Sequence, residues 1–152
     1  MPRSQDAGRA AAPGIPFVIR VIIGHICSGK STHVRHNARP DDVVIDMDRI
    51  ALAIATDGTT PHGFNEHVVD VARAARWQAI VRAVEINKGQ PWDVWIVHAY
   101  PTEQDLAMYR RIGARIWEMK APTEELLVRA KSERPGRLQA ELRKRLEIHG
   151  NH

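Results

Sequence analysis

Eight consecutive residues, Gly24-His25-Ile26-Cys27-Ser28-Gly29-Lys30-Ser31, carry the spacing G-x-x-x-x-G-K-S. Each residue type at that spacing has a task in holding a chain of phosphates. Glycines let the backbone curl so that successive N–H groups point inward at anionic oxygens. A helix starting directly afterwards adds its own unpaired N–H groups and the positive end of its dipole. Lys30 can then reach the outer phosphates, and the Ser31 hydroxyl can ligate Mg²⁺. The competing reading is a chance glycine turn, which would make no demand on its flanks. Here an apolar run, Phe17 to Ile23, leads in, and a plausible short helix, Lys30 to Ala38, leads out. Strand, loop and helix in that order predict a phosphate-binding loop and a bound nucleotide. Cys27, at a variable position of the pattern, reads as a small loop filler and not as a nucleophile.

Phosphoryl transfer needs more than a cradle: Mg²⁺, positive charge on the moving group and a placed acceptor. Asp46 and Asp48 are the obvious carboxylates. They follow Val43-Val44-Ile45, a short strand pattern, at the end of a strand where ligands bind in open α/β sheets. Alternate residues of an ideal strand point the same way, so both aspartates are expected to face one site. One would organise metal-bound water, and the other would take a proton from a substrate hydroxyl. The plainer reading makes Asp48 a helix cap and Asp46 a surface residue. Arg49 follows directly and can clamp an anionic substrate. Arg129, Lys131, Arg134 and Arg137 flank a Pro135-Gly136 break. They either close over a triphosphate or solvate a helix face.

These residues need elements to position them. The 152 residues suffice for one domain with a real core. Met1 to Gly14, rich in Ala, Gly, Pro and polar side chains, reads as a mobile tail. Residues 15–152 then form a single domain with a lid-like segment at about 129–137. Strands are expected at 17–23, 43–45, 94–97 and 116–119. Helices are expected at 30–38, 50–55, about 65–87, 103–112, from Thr123 as cap to about Glu133, and around Leu138, Leu142 and Leu146. Gly89 and Pro91 stop the long helix, and Thr102 with Asp105 marks a capped start. Strands alternating with helices predict an α/β fold, a parallel sheet with helices on both faces. Arg20 interrupts the first strand: either the buried part begins at Val21, or Arg20 snorkels toward an end.

Composition narrows the function classes. Net charge is +4 with an isoelectric point near 9.6, which suits phosphate handling and permits nucleic acid without demanding it. The single cysteine allows no internal disulfide and agrees with a reducing cytoplasm. No apolar stretch approaches the length of a membrane span, and the N-terminus lacks the apolar core of a secretory signal. The histidines form no metal-ligand spacing with cysteine; His98, near a strand end, reads as a hydrogen-bonded structural residue. Trp77, Trp92, Trp95 and Trp117 read as core or edge packing.

The chain resembles the small P-loop kinases, most closely the polynucleotide-kinase-like group and the related zeta-toxin-type kinases. The likeness rests on Gly24 to Ser31, continued by Thr32 into the usual G-K-S-T run, and on a second strand ending in Asp46-Met47-Asp48-Arg49. Ala121 to Pro135 is similar to the strand-to-lid-helix region of these kinases. The general look also resembles small kinases encoded by bacteriophages, some of which act on hydroxylated bases in DNA. The resemblance implies a three-layer P-loop NTPase sandwich with about four to five parallel strands. It implies Asp48 as the general base, Arg49 as a contact to substrate phosphate, and Arg129 and Arg134 as lid arginines that meet ATP. Two departures stand out. The fifth strand, whose flanking loop helps hold adenine, is replaced by a helical pattern at 138–148. The third strand ends in His98-Ala99-Tyr100 without an acid, so metal organisation falls on Asp46 or Asp48.

The expected function is therefore an ATP- and Mg²⁺-dependent kinase in the cytoplasm, a host's if the chain is phage-encoded. Lys30, Asp48 and Arg134 would carry the chemistry, with Ser31 and Asp46 at the metal and Asp46, Asp48 and Arg49 toward the substrate. The acceptor would be a hydroxyl of a nucleotide, a nucleic-acid end or a hydroxymethylated base. The alternatives are a small-metabolite kinase, or a nucleotide-binding regulatory module without phosphotransfer.

Overall fold

A computed structural model describes residues 18–134 and 136–150; the tail expected at 1–14 lies outside them. The chain runs β1 (Ile19–Ile23), α1 (Lys30–Asn37), β2 (Val43–Asp46), α2 (Met47–Ile54), α3 (Glu66–Ile86) and β3 (Val94–His98). It continues through α4 (Glu103–Arg111), β4 (Arg115–Glu118), α5 (Thr123–Glu133) and α6 (Gly136–Gly150). The four strands form one parallel sheet in the order β2-β3-β1-β4. This is the expected α/β architecture at the short end of the expected strand number.

Side chains that alternate along each strand feed two separate layers. On one face Ile19 and Val21 join Ile45, Val94 and Ile96, covered by Ile80 and Ala83 of α3 and Tyr109 of α4. On the other, Ile22, Trp95 and Val97 pack against Val34 of α1. All five β3 residues are buried, which fits a central strand of a covered parallel sheet. β4 is an edge strand, and three of its four residues are exposed.

The helix α1 has eight residues and is too short to cover the whole length of β1. Arg20 lies on this uncovered end. Its guanidinium stacks 4.7 Å over the Trp95 ring and pairs with the Asp93 carboxylate. Of the two expectations for Arg20, the second holds: Ile19 is already buried, so the buried part does not begin at Val21, and Arg20 packs its stem and satisfies its charge at the sheet's end.

Asp42 ties that end of the sheet together. Its side chain is 1% exposed. It accepts hydrogen bonds from the Asp93 N–H at 2.9 Å, the Arg39 N–H at 2.9 Å and the Trp95 indole N–H at 3.0 Å. Asp93 in turn accepts from the Val18 N–H at 3.0 Å. Two carboxylates therefore bind the entries of β2, β3 and β1 to one another.

Two helix starts differ from expectation. α2 begins at Met47, directly after β2, because Asp46 caps it by accepting from the Asp48 N–H. α5 includes Thr123 as its first residue, and Pro122 holds the cap position. Among the described residues no helix is long and apolar enough to cross a membrane.

Burial alone would push the Asp42 carboxyl up; its hydrogen bonds outweigh that and hold it below the ordinary 3.8. A depressed carboxyl stabilises the fold above the unfolded-state pKa, and that stability is lost as pH falls through the folded-state value. Asp42→Asn is expected to lose about 2 kcal/mol at pH 7. The gap to the parent should narrow below about pH 4. Denaturant titrations at pH 7 and pH 3 check this; an unchanged gap would exclude a charge-linked role.

Candidate active site

The helices after β1 and β3 leave the sheet on opposite sides. α1 packs on the Ile22 face and α4 on the Ile19 face. β1 and β3 are neighbours. Their diverging connections open a crevice beyond the C-terminal strand ends, where α/β sheets place ligands. A cavity of about 850 Å³ occupies that position. It is lined by the 26–33 stretch, by Asp46, Asp48 and His62, and by His98 to Tyr100. Arginines 73, 76, 129 and 134 complete its charged wall.

The β1–α1 loop forms the floor. Gly24 has φ of +143°, and a Cβ there would lie 2.4 Å from the Met119 carbonyl oxygen and 2.9 Å from Ser28 Oγ. Gly29 has φ of +91° and occupies the cap position of α1, and no side chain caps this helix. The first-turn N–H groups have no acceptor within a helix, and residues 29–33 line the cavity. Lys30 is 7% exposed and turns back over the loop. Its ammonium donates to the carbonyls of Gly24 at 2.8 Å and His25 at 2.5 Å and meets Ser28 Oγ at 3.3 Å. Burial, and then the charge of Arg134, lower its pKa from 10.5 to about 8.

Beside this floor stands a pair of hard oxygen donors. The Ser31 hydroxyl donates to Asp46 Oδ2 at 2.8 Å. Asp46 is 5% exposed, and its other oxygen accepts from the Asp48 N–H at 3.0 Å. Asp48 does line the same cavity, but not through strand alternation: it sits in the first turn of α2. Its side chain is 49% exposed, and Oδ2 accepts from His62 Nδ1 at 3.2 Å. Burial would raise the Asp48 carboxyl; the His62 hydrogen bond outweighs it, helped by the charges of His62, Arg134 and Lys30, and the pKa is lowered. An ionised, half-exposed carboxylate facing a cavity is competent to accept a proton. The plainer reading had the capping roles reversed: Asp46 is the cap, and Asp48 is the free-facing acid.

α5 and α6 form the outer wall. Cys27 is buried with Leu126, Ala130 and Leu142, which fastens the loop to both helices. Burial pushes its thiol pKa up, in line with a filler and not a nucleophile. Arg129 donates to the Cys27 carbonyl at 3.0 Å and pairs with Glu125 at 3.2 Å. Arg134, at the end of α5, is 15% exposed and reaches Glu133 at 3.7 Å. Both arginines line the cavity; Lys131 does not, and Arg137 donates to the Phe64 carbonyl instead. Arg49 lines an adjoining cavity of about 600 Å³ with Leu52, Phe64 and Arg35, and it shares Asp48, His62 and Arg134 with the first.

His98 is buried and hydrogen-bonded through Nδ1 to the Tyr109 hydroxyl at 2.8 Å. Burial, then the charge of Arg76, lower its pKa to about 4, so it is neutral near pH 7. His62, Arg73 and Arg76 were not singled out from the sequence. His62 has φ of +65°, a conformation uncommon outside glycine. Its Pro61-His62-Gly63 setting was the signal available, since turn residues there permit that backbone.

No protein-family model matches this chain. No curated protein sequence matches it either. Among solved structures, a chain of a Pnkp1/Rnl/Hen1 complex is similar in fold, with a TM-score of 0.55 at 20% identity. The match covers 76% of this chain and 40% of that one, so it spans less than half of the longer protein.

The Gly24 contact sets a test of the floor. Gly24→Ala is expected to lose about 2 kcal/mol or more, from the clash and the backbone together. Gly29→Ala, whose Cβ would meet nothing within 4 Å, should lose only about 1 kcal/mol. Equal losses in thermal or denaturant unfolding would show that the Met119 contact does not shape the loop.

Proposed function

We propose that this chain is an ATP-dependent kinase that passes the γ-phosphoryl group to a hydroxyl of a nucleotide, a nucleic-acid end or a hydroxymethylated DNA base. One observation carries the reading: Lys30 of the G-x-x-x-x-G-K-S loop and the Asp48–His62 pair face the same cavity. A phosphate cradle and a proton acceptor on one cavity are the two halves of phosphoryl transfer to an alcohol. The fold likeness to a chain of the Pnkp1/Rnl/Hen1 complex supports a phosphotransfer or nucleic-acid-modifying role.

The geometry supports the following roles. The loop N–H groups and Lys30 hold the donor phosphates, and Lys30 exchanges the Gly24 and His25 carbonyls for phosphate oxygens. Arg129 and Arg134 add positive charge from α5. Mg²⁺ suits the Ser31 and Asp46 oxygens, because in nucleotide sites it needs only one or two protein donors beside phosphate and water. When bound, it would neutralise charge on the β- and γ-oxygens. Asp48 takes the proton of the acceptor hydroxyl, and His62 holds the Asp48 carboxylate in place. The acceptor oxygen bonds to the γ-phosphorus as the β–γ bridging bond breaks, and the leaving diphosphate keeps the bonding electrons. Residues 129–137 serve as the lid.

The test is transfer of label from γ-labelled ATP, with Mg²⁺, to a panel of acceptors. It holds 5′-hydroxyl oligonucleotides, DNA with hydroxymethylated bases, nucleosides, nucleoside monophosphates and sugar metabolites. Lys30→Ala should abolish transfer. Asp48→Asn should lower turnover by about 10²-fold or more while the affinity for ATP, read by calorimetry, changes little. Full turnover in Asp48→Asn would remove Asp48 as the base. ATP binding with no transfer to any acceptor would leave a nucleotide-binding module.

A further inference from the structure

The strand order gives the cavity a direction. In the order β2-β3-β1-β4, the strand that ends in Asp46 and leads to Asp48 lies at one edge. β4 lies at the other edge, one strand beyond β1 and its loop. A phosphate chain seated on that loop with its reactive end toward Asp48 therefore points its other end away from β2, along α1 and toward β4. The residues agree with that direction. Lys30 and Ser31 serve the outer phosphates, and Thr32, His33 and His36 line the same cavity beyond them. Spacings of three and four residues put His36 on one face of α1 with the other two. Met119, directly after β4, also lines the cavity.

At that edge stands an indole that the core does not use. Trp117 pairs with Ile22 in the β1–β4 register and is 62% exposed. Tryptophan is mostly well buried in folded chains, and among the described residues no strand flanks β4 on its outer side. The ring is nevertheless oriented. It lies nearly parallel to the His33 imidazole, with 18° between the planes and 6.4 Å between centroids. His33 in turn is set edge-on to Trp95, at 63° and 6.3 Å. Trp95 is buried in the layer under α1, against which Met119 also packs. A buried tryptophan thus orients a histidine, and the histidine orients an exposed tryptophan. The result is a flat aromatic shelf, joined to the phosphate loop through the His33 wall of the cavity. Stacking on such a shelf needs a planar π-system; a sugar or a phosphate gains little from it. Continuity with the loop then selects the occupant: a planar group that is tethered to phosphates.

We infer that the His33–Trp117 shelf stacks the base of the nucleotide whose phosphates rest on Gly24 to Ser31. Trp117 and His33 are then donor-binding residues, one on the edge strand and one on α1. The inference rests on the nucleotide-binding half of the proposed function and needs no phosphotransfer.

The test titrates the full chain calorimetrically, in Mg²⁺, with two probes: a non-hydrolysable ATP analogue and inorganic tripolyphosphate. The parent should bind the ATP analogue about tenfold or more tighter than tripolyphosphate. Trp117→Ala should remove most of that advantage. It should change the affinity for tripolyphosphate by less than about twofold, which also reports a folded protein with an intact loop. Trp117→Phe should keep part of the advantage, and His33→Ala should reduce it about threefold. Equal affinity of the parent for both probes overturns the inference, as does an unchanged advantage in Trp117→Ala. Equal losses for both probes in Trp117→Ala would assign Trp117 to the shape of the loop and overturn it too. Sedimentation of the same samples covers a competing occupant: a mass that falls in Trp117→Ala, with the advantage kept, would make the shelf a contact between copies of the chain. Binding of neither probe to the parent would remove the phosphate loop and the shelf together. Failed label transfer with the advantage present would remove only the kinase.

Discussion

A buried ammonium inside its own loop sets the terms for this structure. Lys30 can be held at 7% exposure only if carbonyl oxygens replace its water. Those oxygens, from Gly24 and His25, point inward only because the loop curls at Gly24. Gly24 in turn lies against the Met119 carbonyl. Met119 is fixed there because its N–H donates to the Ile23 carbonyl at 2.8 Å, where the β1–β4 pairing ends. An exposed edge strand with little core of its own is thus required for the shape of the loop.

The same arrangement stores unfavourable charge. Burial, and then the charge of Arg134, lower the Lys30 pKa, and Asp48 and Asp46 act in the opposite direction. Cations gathered so close weaken the free protein and favour an anion between them, which is the usual mark of a binding site rather than of a structural network. The acidic side is treated differently. Asp46 is buried and committed to Ser31 and to the helix cap, whereas Asp48 stays half-exposed with a single imidazole partner. Two carboxylates two residues apart acquire distinct chemistry because the strand turns into a helix between them.

That turn shows where sequence reading reaches its limit. The loop, the apolar β3, and the Gly89 and Pro91 stop after α3 are local signals, and the structure places the elements within a residue or two of where those signals put them. Asp46 and Asp48 also meet on one cavity as expected, but through a capped helix start. An aspartate that ends a strand and caps the next helix satisfies both patterns at once, so residue types alone cannot fix the boundary. Arg73, Arg76 and His62 were beyond reach for another reason. Arginine on a long helix reads as solvated unless the packed side is known, and that side is decided by Ala72 meeting Ala51 and Phe64 across the fold. His62 depends on a loop conformation that many sequences could adopt.

The short sheet gives α5 and α6 more to do. Among the described residues no further strand flanks the loop beyond β4, and the Leu126, Ala130 and Leu142 cluster closes over Cys27. Polar contacts then reach both walls of the cavity from this one unit. Arg129 donates to the Cys27 carbonyl on the side of the β1–α1 loop, and Arg137 donates to the Phe64 carbonyl on the side of Asp48 and His62. Arg134 lies between these two anchors in sequence and lines both cavities. A displacement of α5 relative to α6 must therefore alter the contact to Cys27, the contact to Phe64 or both. Backbone carbonyls are replaceable partners for a guanidinium, and phosphate is the stronger one.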